Sequence, residues 1–149
     1  MDIRLSKNFT LAELTRSNTA AKLGLSNTPS PEDIARLKEL CVNLLQPIRD
    51  AWGGAINVTS GFRGFRLNQA VKGSKSSAHC RGYAADVVPA NGKIRIFKIF
   101  VKDFLKQHPQ VPFDQCIDEY RSANDSSWVH LGYANSKNLH RRQFLISHS

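Results

Sequence analysis

Apolar residues recur at helical spacing in two long stretches of the chain, and shorter stretches alternate or run continuously as strands do. The first long stretch carries Ile34, Leu37, Cys41, Leu44, Leu45 and Ile48 on one stripe. Ser30 can cap it, Pro31 fits its first position, and Glu32 and Asp33 place acid in its first turn. Pro47 is expected to kink this helix, and Gly53-Gly54 to end it. A second helix is predicted over Gly92 to His108, with Ile94, Phe97, Val101, Phe104 and Leu105 on one face. Near the N-terminus, Thr10 and Glu13 form a capping box, and Phe9 can staple to Leu14. Ser17 to Ser30 reads as a helix remnant followed by a loop, and Gly64 to Ser77, polar and with two glycines, as a long surface loop.

Strands are predicted over Ala55–Thr59, Ala84–Val88, Asp114–Tyr120, Trp128–Tyr133 and Gln143–Ile146. Helices come first, then strands interleaved with one helix. That order predicts an α+β fold: a small antiparallel sheet flanked by helices, in a single domain spanning 1–149. Its core is expected at about 9–133, followed by a basic segment, 134–149.

Composition narrows the class. At 149 residues, 41% hydrophobic and 22% charged, the chain can bury a core without disulfide staples. Cys41, Cys80 and Cys116 match no disulfide or Cys-x-x-Cys spacing and read as free thiols, with Cys41 and Cys116 in the core. No apolar run is long enough to span a membrane, and Met1-Asp-Ile-Arg-Leu-Ser lacks the apolar core of a secretion signal. Synthesis in a bacterial cytoplasm and delivery by another agent are therefore expected. The net charge of +9 points to an anionic partner. Its only cluster is Lys137-Asn-Leu-His-Arg-Arg142, and no nucleic-acid-binding motif accompanies it, so nucleic acid is not expected.

The chemistry concentrates in Ser77-Ala-His79-Cys80-Arg-Gly82-Tyr-Ala84-Ala85-Asp86 and, later, Trp128-Val-His130-Leu-Gly132. Two imidazoles and a carboxylate, with a fourth position open, make the ligand set of a catalytic zinc site. An ionised Asp86 among apolar neighbours is costly unless paired or bound to a metal. Gly82 would let the chain bend so that His79 and Asp86 reach one ion. Cys80 beside His79 is a further possible ligand, although a small packing residue is the simpler reading. A hydrolase also needs a base to take a proton from the attacking water. Glu119, Asp118 and Asp125 are the candidates. In a hairpin of the last two long strands, an odd register with His130 opposite Glu119 would bring Glu119 to the site and turn Asp118 away. Asp125 falls in the turn. Glu119 is favoured, with pairing to Arg121 as its structural alternative. Arg63, on a Ser60-Gly-Phe-Arg turn, is a candidate for stabilising developing negative charge or binding a substrate carboxylate. Ser77 is a candidate for contacting substrate or orienting His79.

Ser60-Gly-Phe-Arg63, the Ser77-x-His79-x-x-Gly82-x-Ala84-x-Asp86 run and Trp128-Val-His130 together resemble the zinc D-Ala-D-Ala carboxypeptidase family. That family includes L-alanyl-D-glutamate endopeptidases used by phages as endolysins and shares its zinc fold with hedgehog domains. The resemblance runs from about Phe9 to Tyr133. It implies a hedgehog/DD-peptidase-like fold and zinc held by His79, Asp86 and His130. It also places Arg63 near the reacting centre and supplies a carboxylate base from the strand pair or its turn. Many members place that base three residues before the last histidine, where this chain has Ser127. The phage-type branch resembles Phe113-Asp-Gln115…Glu119-Tyr120…Trp128-Val-His130 instead, which supports Glu119. The implied activity is hydrolysis of peptidoglycan stem peptides by a monomer drawn to the anionic wall, released by a holin or carried on a virion. A D-Ala-D-Ala carboxypeptidase and a non-catalytic zinc-bearing wall-binding module are the alternatives.

Overall fold

The computed structural model describes residues 2–149. A short hairpin of β1 (Arg4–Ser6) and β2 (Phe9–Thr10) leads into α1 (Leu11–Thr15), where both halves of the Thr10–Glu13 capping box form. The remnant predicted after Ser17 is α2 (Asn18–Leu23), capped by the Ser17 hydroxyl and ended by Gly24. Next, α3 (Pro31–Leu40) starts at the Ser30 cap, and α4 (Gln46–Trp52) ends at Gly53. Pro47 has no N–H to donate, and its ring needs room at the carbonyl four residues back. The helix makes that room by widening into a π-turn over Cys41–Leu45, in which the Gln46 N–H reaches back to the Cys41 carbonyl.

The main sheet has the order β3-β4-β6-β5-β7, with β3 (Ile56–Ser60), β4 (Ala84–Pro89), β5 (Gln115–Arg121), β6 (Ser126–Gly132) and β7 (Gln143–His148). All neighbours are antiparallel except β5 and β7, which are parallel. The parallel pair follows from the connection. Strand β6 leaves the sheet at Gly132, opposite Gln115, and Gln143 pairs with that same Gln115. The short crossing over the start of β5 therefore launches β7 in the direction of β5. The sheet is thus mixed, with β7 as an open edge strand.

One face of this sheet builds the core. Ala85 and Val87 of β4, Val129 and Leu131 of β6 and Cys116 of β5 are buried in the same apolar cluster as Leu37, Leu44 and Ile48 of the long helix. Helix α6 (Ile94–Gln107) adds Phe97, Val101, Phe104 and Leu105 to that cluster. The Trp52 ring meets Phe97 edge-on at 5.1 Å. By strand alternation, Asp86, Ile117, Glu119, Trp128 and His130 belong to the opposite face. The expected loop 64–77 is partly helical: α5 (Phe65–Ala70) buries only Leu67 and Asn68. A single buried turn leaves no apolar period to read, which is why the sequence pattern concealed it.

The segment after 133 is tied into the fold. Arg141 grips the buried Asp114 with two side-chain hydrogen bonds, 2.7 Å from Nε and 2.8 Å from Nη2. Arg142 donates to the carbonyls of Leu105 and Val111. The basic cluster is therefore largely spent on holding β7 in place. Burial pushes the Asp114 carboxyl up, but the Arg141 side-chain and backbone N–H groups outweigh it and hold it below the usual carboxylate range. The unfolded chain then binds the proton more readily than the folded one. Its stabilisation is complete above the unfolded value of about 3.9 and is lost as pH falls through the lower folded value. Asp114→Asn should lower the unfolding free energy by about 1–3 kcal/mol at neutral pH. The gap to wild type should shrink below about pH 4. Urea unfolding at both pH values measures it, and an unchanged gap would show that charge is not what the pair contributes.

Candidate metal centre

Strands β4 and β6 place Asp86 directly across from His130, so two candidate ligands come together through register alone. Their closest approach is 3.0 Å, from His130 Nδ1 to Asp86 Oδ1. His79 arrives from a different element, a 3₁₀ turn over Ala78–Arg81, and its Nε2 lies 3.4 Å from the same Asp86 oxygen. The two imidazole rings stand 5.1 Å apart. One ligand atom from each residue lies within 4.8 Å of the other two.

The turn is fixed from both sides. Ser77 caps it, its hydroxyl accepting from the His79 N–H, and Gly82 ends it with φ of 81°. The Ser60-Gly-Phe-Arg63 segment cradles His79: the Gly61 carbonyl receives the ring Nδ1 at 2.8 Å, and the Arg63 N–H donates to the His79 carbonyl. Phe62 N–H donates in turn to Leu14 at the end of α1. That approach needs glycine at 61, since a Cβ there would stand 2.2 Å from the Leu14 carbonyl oxygen.

These contacts test the fit of a metal. The Gly61 carbonyl can only accept, so the Nδ1 beside it carries the proton, and a neutral His79 presents a lone pair from Nε2. That lone pair faces the Asp86 carboxylate, acceptor against acceptor. A cation among the three side chains resolves the opposition, and a backbone carbonyl behind a ligating imidazole is the usual outer support. Burial alone would raise the Asp86 carboxyl. A protonated His79 and the His130 hydrogen bond outweigh it and hold the group well below its ordinary range; with His79 neutral, a bound cation takes over the role of that charge. The donor set, two nitrogens and one oxygen with an open side, fits a metal ion.

The cluster lies where two clefts meet. One, of about 580 Å³, is lined by Arg63, Ser77, His79, Asp86, Glu119, Trp128 and His130 among others. A second, of about 500 Å³, shares Arg63, Asp86, Arg121 and Trp128 and continues past Thr59 and Val88. Glu119 lies in the first cleft, but not directly opposite His130 as expected. Ile117 takes that place, and Glu119 pairs with Trp128. The two-residue shift preserves parity, so Glu119 remains on the metal face and Asp118 turns away to Lys98 of α6. Glu119 does not pair with Arg121. Its Oε2 accepts the Trp128 indole N–H at 2.9 Å, and the Arg121 guanidinium lies over the Trp128 ring at 5.6 Å.

Asp125 is exposed and accepts from Tyr120, a strand neighbour of Glu119 that points to the other face. It lines neither cleft. Arg63 Nη2 donates to the Ser77 hydroxyl at 3.2 Å, while its buried Nε has no partner. Ser77 thereby links the arginine to the His79 turn. Cys80 is outside the three-residue cluster, half-buried, and burial pushes its thiol up. The partnership of Trp128 with Glu119 was missed from sequence. The register sum joining 119 to 128 would have shown it.

A model of the peptidase M15 family matches residues 7–131, and the chain belongs to that family. It is a peptidase. None of the curated proteins matches the chain.

Gly82 is the bend on which Asp86 and His79 converge. A Cβ there would meet the Asp33 carbonyl oxygen at 2.9 Å, whereas one at Gly92, with a similar φ of 77°, would meet nothing within 4 Å. Gly92→Ala should cost about 1–2 kcal/mol from the left-handed backbone alone. Gly82→Ala should cost more. Denaturant unfolding of the pair checks this, and equal losses would mean that the packing at Gly82 yields freely.

Proposed function

We propose that this peptidase is a zinc-dependent endopeptidase that cuts the stem peptides of peptidoglycan, in the manner of a phage or prophage endolysin. The observation that carries the reading is the His79–Asp86–His130 cluster at the junction of the two clefts. Asp86 and Arg63 line both clefts, so the space for a substrate chain continues past Asp86, which suits an endopeptidase.

In this reading His79, Asp86 and His130 hold the zinc. Bound there, zinc supplies Lewis acidity, polarising a carbonyl and making water a stronger nucleophile. Glu119 is the general base. Trp128 occupies its Oε2, which leaves Oε1 to take the proton from water and return it to the leaving amine. Arg63, anchored by Ser77 and lining the first cleft, offers its guanidinium charge to the oxygen on which negative charge develops or to a substrate carboxylate. Arg81 and Arg121 also line the first cleft, and neither forms an ion pair among the described residues. They favour an anionic peptide there. The net charge of +9 draws the protein to the anionic wall once it leaves the cytoplasm by a holin-type or virion route.

Purified protein should hold about one zinc per chain. His79→Ala, Asp86→Ala and His130→Ala should each lose the metal and hydrolysis of cell walls. Elemental analysis and mass spectrometry of digested muropeptides test both parts. Full zinc in His130→Ala would overturn the ligand set, and release of terminal D-Ala alone would replace the endopeptidase with a carboxypeptidase.

Glu119→Gln should keep zinc and fold but lose activity by about 10²–10⁴-fold. Asp125→Asn should stay near wild type. Trp128→Phe keeps the ring and removes only the indole N–H, so kcat should fall by about tenfold with KM and zinc content unchanged. Steady-state kinetics on a soluble muropeptide decides among them. An inert Asp125→Asn beside a nearly wild-type Glu119→Gln would transfer the base to the turn.

A further inference from the structure

Away from both clefts, α6 and β7 leave a second surface. Ile96 and Ile99 lie one turn apart on the outer side of α6 and are 56% and 58% exposed; on β7, Ile146, on the same sheet face as Phe144, is 71% exposed. A groove of about 300 Å³, lined by Ile99, Lys102, Phe144 and Ile146 among others, joins the two elements. Cations rim it. Arg95, Lys102 and Lys106 are exposed on α6, and the ammonium groups of Lys102 and Lys106 lie 5.8 and 5.7 Å from the Phe144 ring centroid. Asp103 is the only exposed acid on the helix.

We propose that this face docks the protein peripherally on an anionic lipid surface. The charge pattern selects this occupant. A second copy would set the same lysines and arginines against each other, in a chain already at +9. A wall polymer would answer the charge but gives the isoleucines nothing apolar to enter. An anionic leaflet answers both: the isoleucines reach the acyl boundary, and the lysine stems lie along them with their ammonium groups among the headgroups. Contiguous apolar side chains rimmed by polar groups mark such contacts more often than bare solvent surface. Docking would be peripheral, since no helix of the described residues is long and apolar enough to cross a membrane. The geometry also orients the molecule. Helix α6 covers the sheet face opposite Asp86 and His130, so a docked protein turns its clefts away from the lipid. The inference is independent of the peptidase reading.

The test uses the full chain with vesicles of phosphatidylcholine, alone or mixed with phosphatidylglycerol. Wild type should co-sediment with the mixed vesicles at low salt and poorly with the neutral ones. Ile99→Ser with Ile146→Ser should weaken that binding by about tenfold or more. Lys102→Gln with Lys106→Gln should weaken it and flatten its salt dependence. Circular dichroism confirms that each variant is folded, and both pairs are solvent-facing. Failure of wild type to bind mixed vesicles overturns the proposal. So does unchanged binding by the isoleucine pair, which would leave charge alone at work. Concentration-dependent dimerisation, abolished in that pair, would assign the face to a second copy instead.

Discussion

The structure depends on one arrangement: a carboxylate in the middle of a sheet, held between two imidazoles. Asp86 lies on β4, which has neighbours on both sides, and the residues beside it, Ala85 and Val87, are fully buried on the other face. A charge in such a place is tolerated only where partners compensate it. His130 is supplied by strand register and His79 by a separate turn, so the compensation needs both the β4–β6 pairing and the 61–63 cradle to form. The site is therefore assembled by the fold as a whole. Removing one imidazole leaves the others in place but uncompensated.

That arrangement was legible in sequence because its determinants are local and chemically distinctive. His79, Gly82, Asp86 and His130 stand in short runs whose small and apolar neighbours restrict what the polar groups can do. The caps at Thr10 and Ser30 formed, since a cap needs only the residues of one helical turn. What stayed hidden had no such local signal. The direction of β7 is set by where β6 leaves the sheet, and helix α5 buries only two residues, too few to show a period. The π-turn was half-visible: Pro47 announces a disturbance, but only the packed helix decides that it widens instead of breaking.

The hairpin shows how a partly correct register can still place a residue. A shift of one would have sent Glu119 to the core face and exchanged it for Asp118. The observed shift is two, so the face is right and the neighbour wrong. The consequence is chemical: the carboxylate lies beside Trp128, whose N–H fixes one oxygen and leaves the other to the cleft. In the same hairpin, Asp118 is taken by Lys98 on the opposite face and Asp125 by Tyr120 in the turn. Parity separates Glu119 from Asp118, and the turn removes Asp125 from the sheet face.

The positive charge divides by face in the same way. The basic run near the end of the chain looked like the natural attractor for an anionic partner, yet Arg141 is locked to buried Asp114 and Arg142 to backbone carbonyls. Their charge is largely internal to the fold. Arg63, Arg81 and Arg121 line the clefts without an ion pair among the described residues, although Arg81 also donates to the Ala134 carbonyl, while the exposed lysines of α6 lie on the far side of the sheet. Two parts of the +9 net charge are thus set on opposite sides of the sheet. One is concentrated in a cleft, where the low-dielectric walls strengthen it, and the other is spread over an apolar surface, where salt screens it. Because the sheet and its core separate them, substitutions in one should leave the other unaltered.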